Sequence, residues 1–162
     1  MCKPNSCTFI NTEGYLISEL IKPSVQKELV TTAAREVADR LALQSKNARR
    51  DFSVVTIVID EKTGNVYFGY NGGINKENLT INPILADLLP QATLNLNKNV
   101  SNCAESHAIN QALNEGAKLE NLHITTINTI ERFFGQNKLA CENCTYAFKG
   151  KIKRNNTGWK GA

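Results

Sequence analysis

No apolar run in this chain approaches the roughly 18 residues a bilayer-spanning helix needs. The opening residues, Met1-Cys2-Lys3-Pro4-Asn5-Ser6-Cys7, carry no apolar stretch of the kind a cleavable secretory signal has. Any export is therefore expected to use another route, or a carrier from which this segment was separated. No internal repeat or low-complexity tract interrupts the 162 residues, so one domain with a sizeable core is expected. A closed disulfide framework is also missing, because five cysteines is an odd number. Three of the five have metal-ligand spacing and must stay reduced to bind, which favours a cytosolic working environment. Cys2 and Cys7 lie in a polar stretch and are free, paired or minor ligands.

Charge is present but unevenly placed. Residues 1–50 carry eight Lys/Arg and five Asp/Glu, residues 51–144 six and ten, and residues 145–162 five and none. Basic ends thus flank an acidic middle. That pattern permits contact with a phosphate backbone, and equally a solvated basic tail.

The chain divides into an arm (1–23), a core (24–150) and a basic tail (151–162), all within a single domain. A helix is expected over 24–46, with Ser24 as N-cap and Val25, Leu29, Val30, Ala33, Val37 and Leu41 near helical spacing. The run Val54 to Ile59 reads as a buried strand, Lys62-Thr63-Gly64-Asn65 as a turn, and Val66 to Tyr70 as the returning strand. Residues 71–100 are rich in Asn, Gly and Pro. They hold a short helix candidate, 84–89, ended by Pro90, and otherwise read as a substrate-facing loop or lid. A helix over 104–115 ends at Gly116, a strand runs from Leu122 to Ile130, and another helix begins at Cys141. The order helix, strand, strand, helix, strand, helix predicts a three-layer α/β/α sandwich with a mixed sheet.

The chemistry concentrates in Cys103-Ala104-Glu105 and Cys141-Glu142-Asn143-Cys144. Together they offer three thiolates and one carboxylate that need not ligate. That set suits a catalytic zinc site with an open fourth position; a structural site would need four protein ligands and would have no use for Glu105. Three thiolates on Zn²⁺ leave a formal charge of −1, which helix N-termini at Cys103 and Cys141 help to offset. Glu105 is placed to carry a proton between water and a leaving amine. The reaction such a set suits is hydrolytic removal of an amino group from an aromatic ring carbon. The competing reading is a zinc-stabilised binding module without catalysis, with His107 or Cys7 as fourth ligand. His107 can equally be a packed or exposed helix residue, and His123 at a strand start reads as structural.

These residues resemble the zinc-dependent cytidine deaminase superfamily, whose pattern is [His/Cys]-x-Glu followed by Pro-Cys-x-x-Cys. The stretch from Cys103 to Gly116 is similar to its all-cysteine branch, and the likeness covers about residues 53–150. Ala140 departs from it, standing where the family usually has Pro. The resemblance implies Cys103, Cys141 and Cys144 as zinc ligands and Glu105 as proton shuttle. It implies that the backbone amides of Ala104 and Cys141 hold the reacting centre. Gly69-Tyr70-Asn71-Gly72 resembles the Gly-x-Asn of nucleoside and nucleotide deaminases, which makes Asn71 a sugar-binding candidate; an ordinary Asn-Gly turn is the alternative.

The short C-terminal end, the Asn-rich loop and Cys-x-Asn-Cys look like the YwqJ-like deaminases of bacterial polymorphic toxins. That likeness implies a warhead delivered into a target cell as part of a larger secreted protein. It also implies nucleic acid as substrate and a cognate immunity protein as partner. Tyr70, Phe133, Phe134 and Trp159 are then candidates to stack on bases, and Lys149, Lys151, Lys153 and Arg154 to meet phosphates. Cytosine in DNA or RNA is the expected target. Adenine is a live alternative, and so is a free nucleoside or nucleotide, whose deaminases often oligomerise to complete each pocket. No membrane partner is expected.

Overall fold

The computed structural model describes residues 7–8, 32, 52–95 and 99–161. Its frame is a mixed sheet of five strands, two of them only two residues long. β1 is Cys7–Thr8, β2 Val54–Asp60, β3 Asn65–Tyr70, β4 Leu122–Asn128 and β5 Arg154–Asn155. The order across the sheet is β1-β3-β2-β4-β5. Every pair is antiparallel except β4 and β5, which run parallel.

β2 is central because its β-branched run can be buried on both faces. It turns into β3 through Asp60, whose carboxylate oxygens accept from the Lys62 amide and the Thr63 hydroxyl, each at 3.0 Å. Gly64 closes the turn at φ 75°, a left-handed conformation that costs glycine little.

Among the described residues four α-helices follow β3: α1 (Gly73–Lys76), α2 (Pro83–Leu88), α3 (Ala104–Asn114) and α4 (Glu142–Phe148). α3 lies against β2 and β3, and its apolar stripe joins Val58, Tyr67, Ile124 and Phe148 in the larger core. The opposite face of the sheet carries a second cluster, Val55, Ile57, Val66 and Ile127. The α/β class and the mixed sheet are as expected. The three-layer arrangement is expected to include the helix over 24–46, which, Thr32 apart, lies outside the described residues.

The segment 71–100 is more structured than its composition suggests. It contains α1, which the sequence does not announce, and α2, which opens on Pro83 with Asn82 as a side-chain cap. Asn110 and Asn114 of α3 stitch its middle down: Asn110 accepts from the Asn82 amide at 2.8 Å and donates to Thr80 O at 2.9 Å. Beyond α4, the stretch read as a basic tail also packs. β5 pairs with β4, and Ile152 and Thr157 are buried. The buried Ala140 amide donates to Gly158 O at 3.1 Å. Proline has no N–H to make that bond, which gives the departure at Ala140 a physical reason.

Candidate metal centre and active site

Two loop-to-helix junctions converge on one point. Cys103 is the N-cap of α3 and Cys141 the N-cap of α4, with Cys144 in the first turn of α4. Such caps are usually Ser, Thr, Asp or Asn, whose oxygens bond the helix's free N–H groups. Neither cysteine side chain does so. The three sulfurs gather instead within 4.8 Å of one another, with Cys103 and Cys141 at 2.8 Å and all three free of disulfides. Zinc–sulfur bonds of about 2.3 Å in a tetrahedron place sulfurs about 3.8 Å apart, so shifts of about 1 Å convert this trio into a ligand set.

The three thiols do not ionise alike. Hydrogen bonding with Cys141, aided by burial, holds the Cys103 thiol above its ordinary range. Hydrogen bonds with both neighbours, together with burial, do the same at Cys144. Cys141 is pushed down because Cys103 and Cys144 both hydrogen-bond to it. Crowded sulfurs in a buried place cannot all carry charge unless a cation shares them. Soft anionic donors in a half-closed set fit zinc. Among the described residues no fourth ligand atom joins the cluster. His107 is turned elsewhere, and the side chain of Cys7 lies outside the described residues.

Glu105 sits in the first turn of α3 and is 4% exposed. Its Oε2 lies 3.7 Å from the Cys144 sulfur. Burial pushes its carboxyl up to about 7, so it can hold or release a proton near neutrality.

Asn71 follows β3 directly and reaches the same end of α3: its Oδ1 accepts the Ala104 N–H at 3.2 Å. Tyr70 is placed differently. Its ring is buried, 4.7 Å from Phe52 and 4.9 Å from the His107 ring, and its hydroxyl donates to Glu77 at 2.8 Å. Phe134 packs on the second core cluster and Trp159 on the first, while Phe133 stays exposed. Lys149 and Lys151 are exposed; Lys153 pairs with Glu61, and Arg154 lies in β5.

A sequence model of the YwqJ-like deaminase family matches residues 41–150, and that stretch contains the three cysteines, Glu105 and Asn71. The chain belongs to the YwqJ-like deaminase family. No curated protein and no solved structure gives a significant match. Within this deaminase family member, the cysteine cluster is a group that could hold a metal ion.

Three features of the YwqJ-like site are not evident in the motif alone. Asn143, inside Cys-x-Asn-Cys, is fully buried; it accepts from the Leu94 amide at 2.8 Å and donates to Thr93 at 3.1 Å, fixing the preceding loop to α4. His107 accepts the Tyr70 N–H through Nδ1 at 3.3 Å. Gly69 lets α3 approach β3: a Cβ there would lie 2.7 Å from Ala108 N and closer still to Ala104 O. The glycines of Gly69-Tyr70-Asn71-Gly72-Gly73 are the sequence signal for that close approach.

Proposed function

We propose that this domain is a zinc-dependent hydrolytic deaminase that converts cytosine to uracil in DNA or RNA, releasing ammonia. The carrying observation is Glu105, buried beside three converging sulfurs yet not one of them. A purely structural metal site has no need of a buried carboxylate there. Cys103, Cys141 and Cys144 would hold the zinc, which supplies Lewis acidity to the attacking water. Glu105 carries one proton from that water to the ring nitrogen and a second, from the hydroxyl the water has become, to the leaving amine. The Cys141 amide holds the base at the reacting carbon, the Ala104 N–H being taken up by Asn71 Oδ1, and the Asn71 side-chain nitrogen is left to bond the sugar. Water is consumed and ammonia leaves, so no redox partner enters.

Nucleic acid is the proposed partner, met by Lys149 and Lys151 at the basic end. In this reading the domain is the toxic end of a larger delivered protein, held in check by a cognate immunity protein. A free cytidine or deoxycytidine is the second reading. It is favoured by one observation: Lys153 and Lys160 are engaged by Glu61 and Glu142, which reduces the charge left for phosphates.

The test is Glu105→Ala, assayed on cytidine, single- and double-stranded DNA, and RNA. It should bind zinc at the wild-type stoichiometry and fold normally, and lose at least about 100-fold in uracil formation. Uracil production at the wild-type rate would rule out the mechanism. Sequencing a mixed nucleic-acid pool after exposure reports base, polymer and context together, and an adenine signature there would replace cytosine as the target.

A further inference from the structure

The end of β3 and the turn after it are fastened to α3 at two points and to the loop just before α3 at a third. The Tyr70 amide donates to His107 Nδ1 at 3.3 Å, Asn71 Oδ1 accepts from the Ala104 amide at 3.2 Å, and the Gly72 amide donates to Asn102 O at 2.9 Å. Of the three anchors, His107 is the one supplied by a side chain from α3. It is 1% exposed, one turn beyond Cys103, and outside the sulfur cluster. Because Nδ1 accepts, the neutral ring carries its proton on Nε2, which faces Glu77 Oε2 at 3.5 Å. Glu77 in turn receives the Tyr70 hydroxyl. Gly73 lies flat against the ring: a Cβ there would stand 2.5 Å from its Cγ and closer to Nδ1. The imidazole is therefore wedged between the Tyr70 backbone, Gly73 and Glu77, beneath the turn that carries Asn71.

We propose that His107 is a positioning residue, which holds the 70–73 turn in the one placement that brings the Asn71 side chain to the active-site end of α3. A packed core histidine would need only to fill space. This one accepts a backbone N–H whose direction sets the path of the next residue. Through it, the helix that carries Cys103 and Glu105 also aligns the proposed sugar contact. The proposal rests on the deaminase reading for the role of Asn71, but the anchoring itself stands on the contacts above.

The experiment compares wild type with His107→Ala, His107→Asn and Gly73→Ala. In His107→Asn, Oδ1 can take the place of Nδ1 as acceptor, whereas Gly73→Ala pushes the turn off an intact histidine. Zinc content, amide hydrogen exchange over 70–73, and kinetics on a sugar-bearing substrate and on free cytosine are measured. Losing one buried hydrogen bond, His107→Ala should speed Tyr70 exchange and raise KM for the sugar-bearing substrate, each by roughly tenfold. Its kcat, its zinc content and its turnover of free cytosine should stay near wild type. His107→Asn should restore both readouts, and Gly73→Ala should reproduce the loss. If His107→Ala does not fold, Gly73→Ala and His107→Asn decide the matter by the same readouts. Unchanged exchange at 70–73, or an equal loss on substrates with and without sugar, would overturn the proposal. If wild type deaminates none of the substrates, the functional reading fails, while the exchange comparison still decides the anchoring.

Discussion

A histidine can accept through Nδ1 only while that nitrogen is bare. His107 meets this condition because burial pushes its pKa below the ordinary value, outweighing the opposite pull of the Glu77 carboxylate. In the unfolded chain the ring takes up a proton below about pH 6.5. The folded chain resists that proton, since it would turn the Tyr70 N–H and the ring into two donors facing each other. The stabilising contribution of His107 is thus complete above about pH 6.5 and is lost as pH falls toward the depressed folded value. With one hydrogen bond worth about 1 kcal/mol, wild type should lose roughly 2–4 °C of Tm relative to His107→Asn between pH 7.5 and 5. Taking the difference between two proteins with the same zinc site removes the metal's own acid release. A gap that stays constant across that range would show that the ring is not held neutral. The sequence conveys this residue poorly, because a histidine on a helix has several ordinary fates. The cysteines and Glu105 are far more legible, since few side chains can bind a soft cation or carry a proton beside it.

Elements place these residues, and their contacts tolerate little added volume. The Gly69 position in β3 touches the first turn of α3, where Ala104 O and Ala108 meet the strand backbone. Adding a methyl group there must push α3 away from the sheet, because the obstructing atoms are backbone. Overpacking of this kind costs typically 1–3 kcal/mol, and Gly69→Ala should sit near the upper end, about 3 kcal/mol in chemical denaturation. It should also weaken zinc retention against a chelator, because Cys103 moves with the helix while Cys141 and Cys144 do not. Wild-type chelator resistance in a folded Gly69→Ala protein would mean that α3 and α4 do not need this spacing. The hairpin and α3 are readable from sequence because period and β-branching report local burial. Expectation and structure differ there by only a residue or two at the ends. The 71–100 segment is harder to read. Asn82 looks like a loop residue but caps α2 and is also bonded to Asn110 and Asn114 of α3, 28 and 32 residues away. β5 is hidden for a related reason: a two-residue parallel pairing leaves no periodic signal, and the Ala140 and Gly158 bond that accompanies it involves only backbone.

Over the whole molecule the basic surplus is smaller in practice than in sum. The net charge of +4 rests on a C-terminal stretch with five cations and no acid. Folding spends two of those five on Glu61 and Glu142, acidic residues from the middle of the chain. Lys149 and Lys151 remain exposed at the end of α4, the helix that carries Cys141 and Cys144. On the nucleic-acid reading proposed above, these two lysines, at the opposite end of α4 from the cysteines, are phosphate contacts. Each phosphate neutralised on a single strand steepens the salt dependence of log K by about 0.7. With about three contacts, binding to single-stranded DNA or RNA should fall roughly 20-fold between 50 and 200 mM salt. Lys149→Glu together with Lys151→Glu should flatten that slope by about 1.4, because two of the three contacts are gone. Turnover of free cytidine has no strand to lose and should change less than about twofold over the same range. The measurement is KM for a cytosine-containing oligonucleotide and for cytidine, each across a salt series, in wild type and the double variant. A polymer KM that ignores salt, alongside efficient cytidine turnover, would shift the assignment to the small-molecule reading, in which the neutralised lysines serve the fold and the substrate reaches Asn71 without a backbone attached.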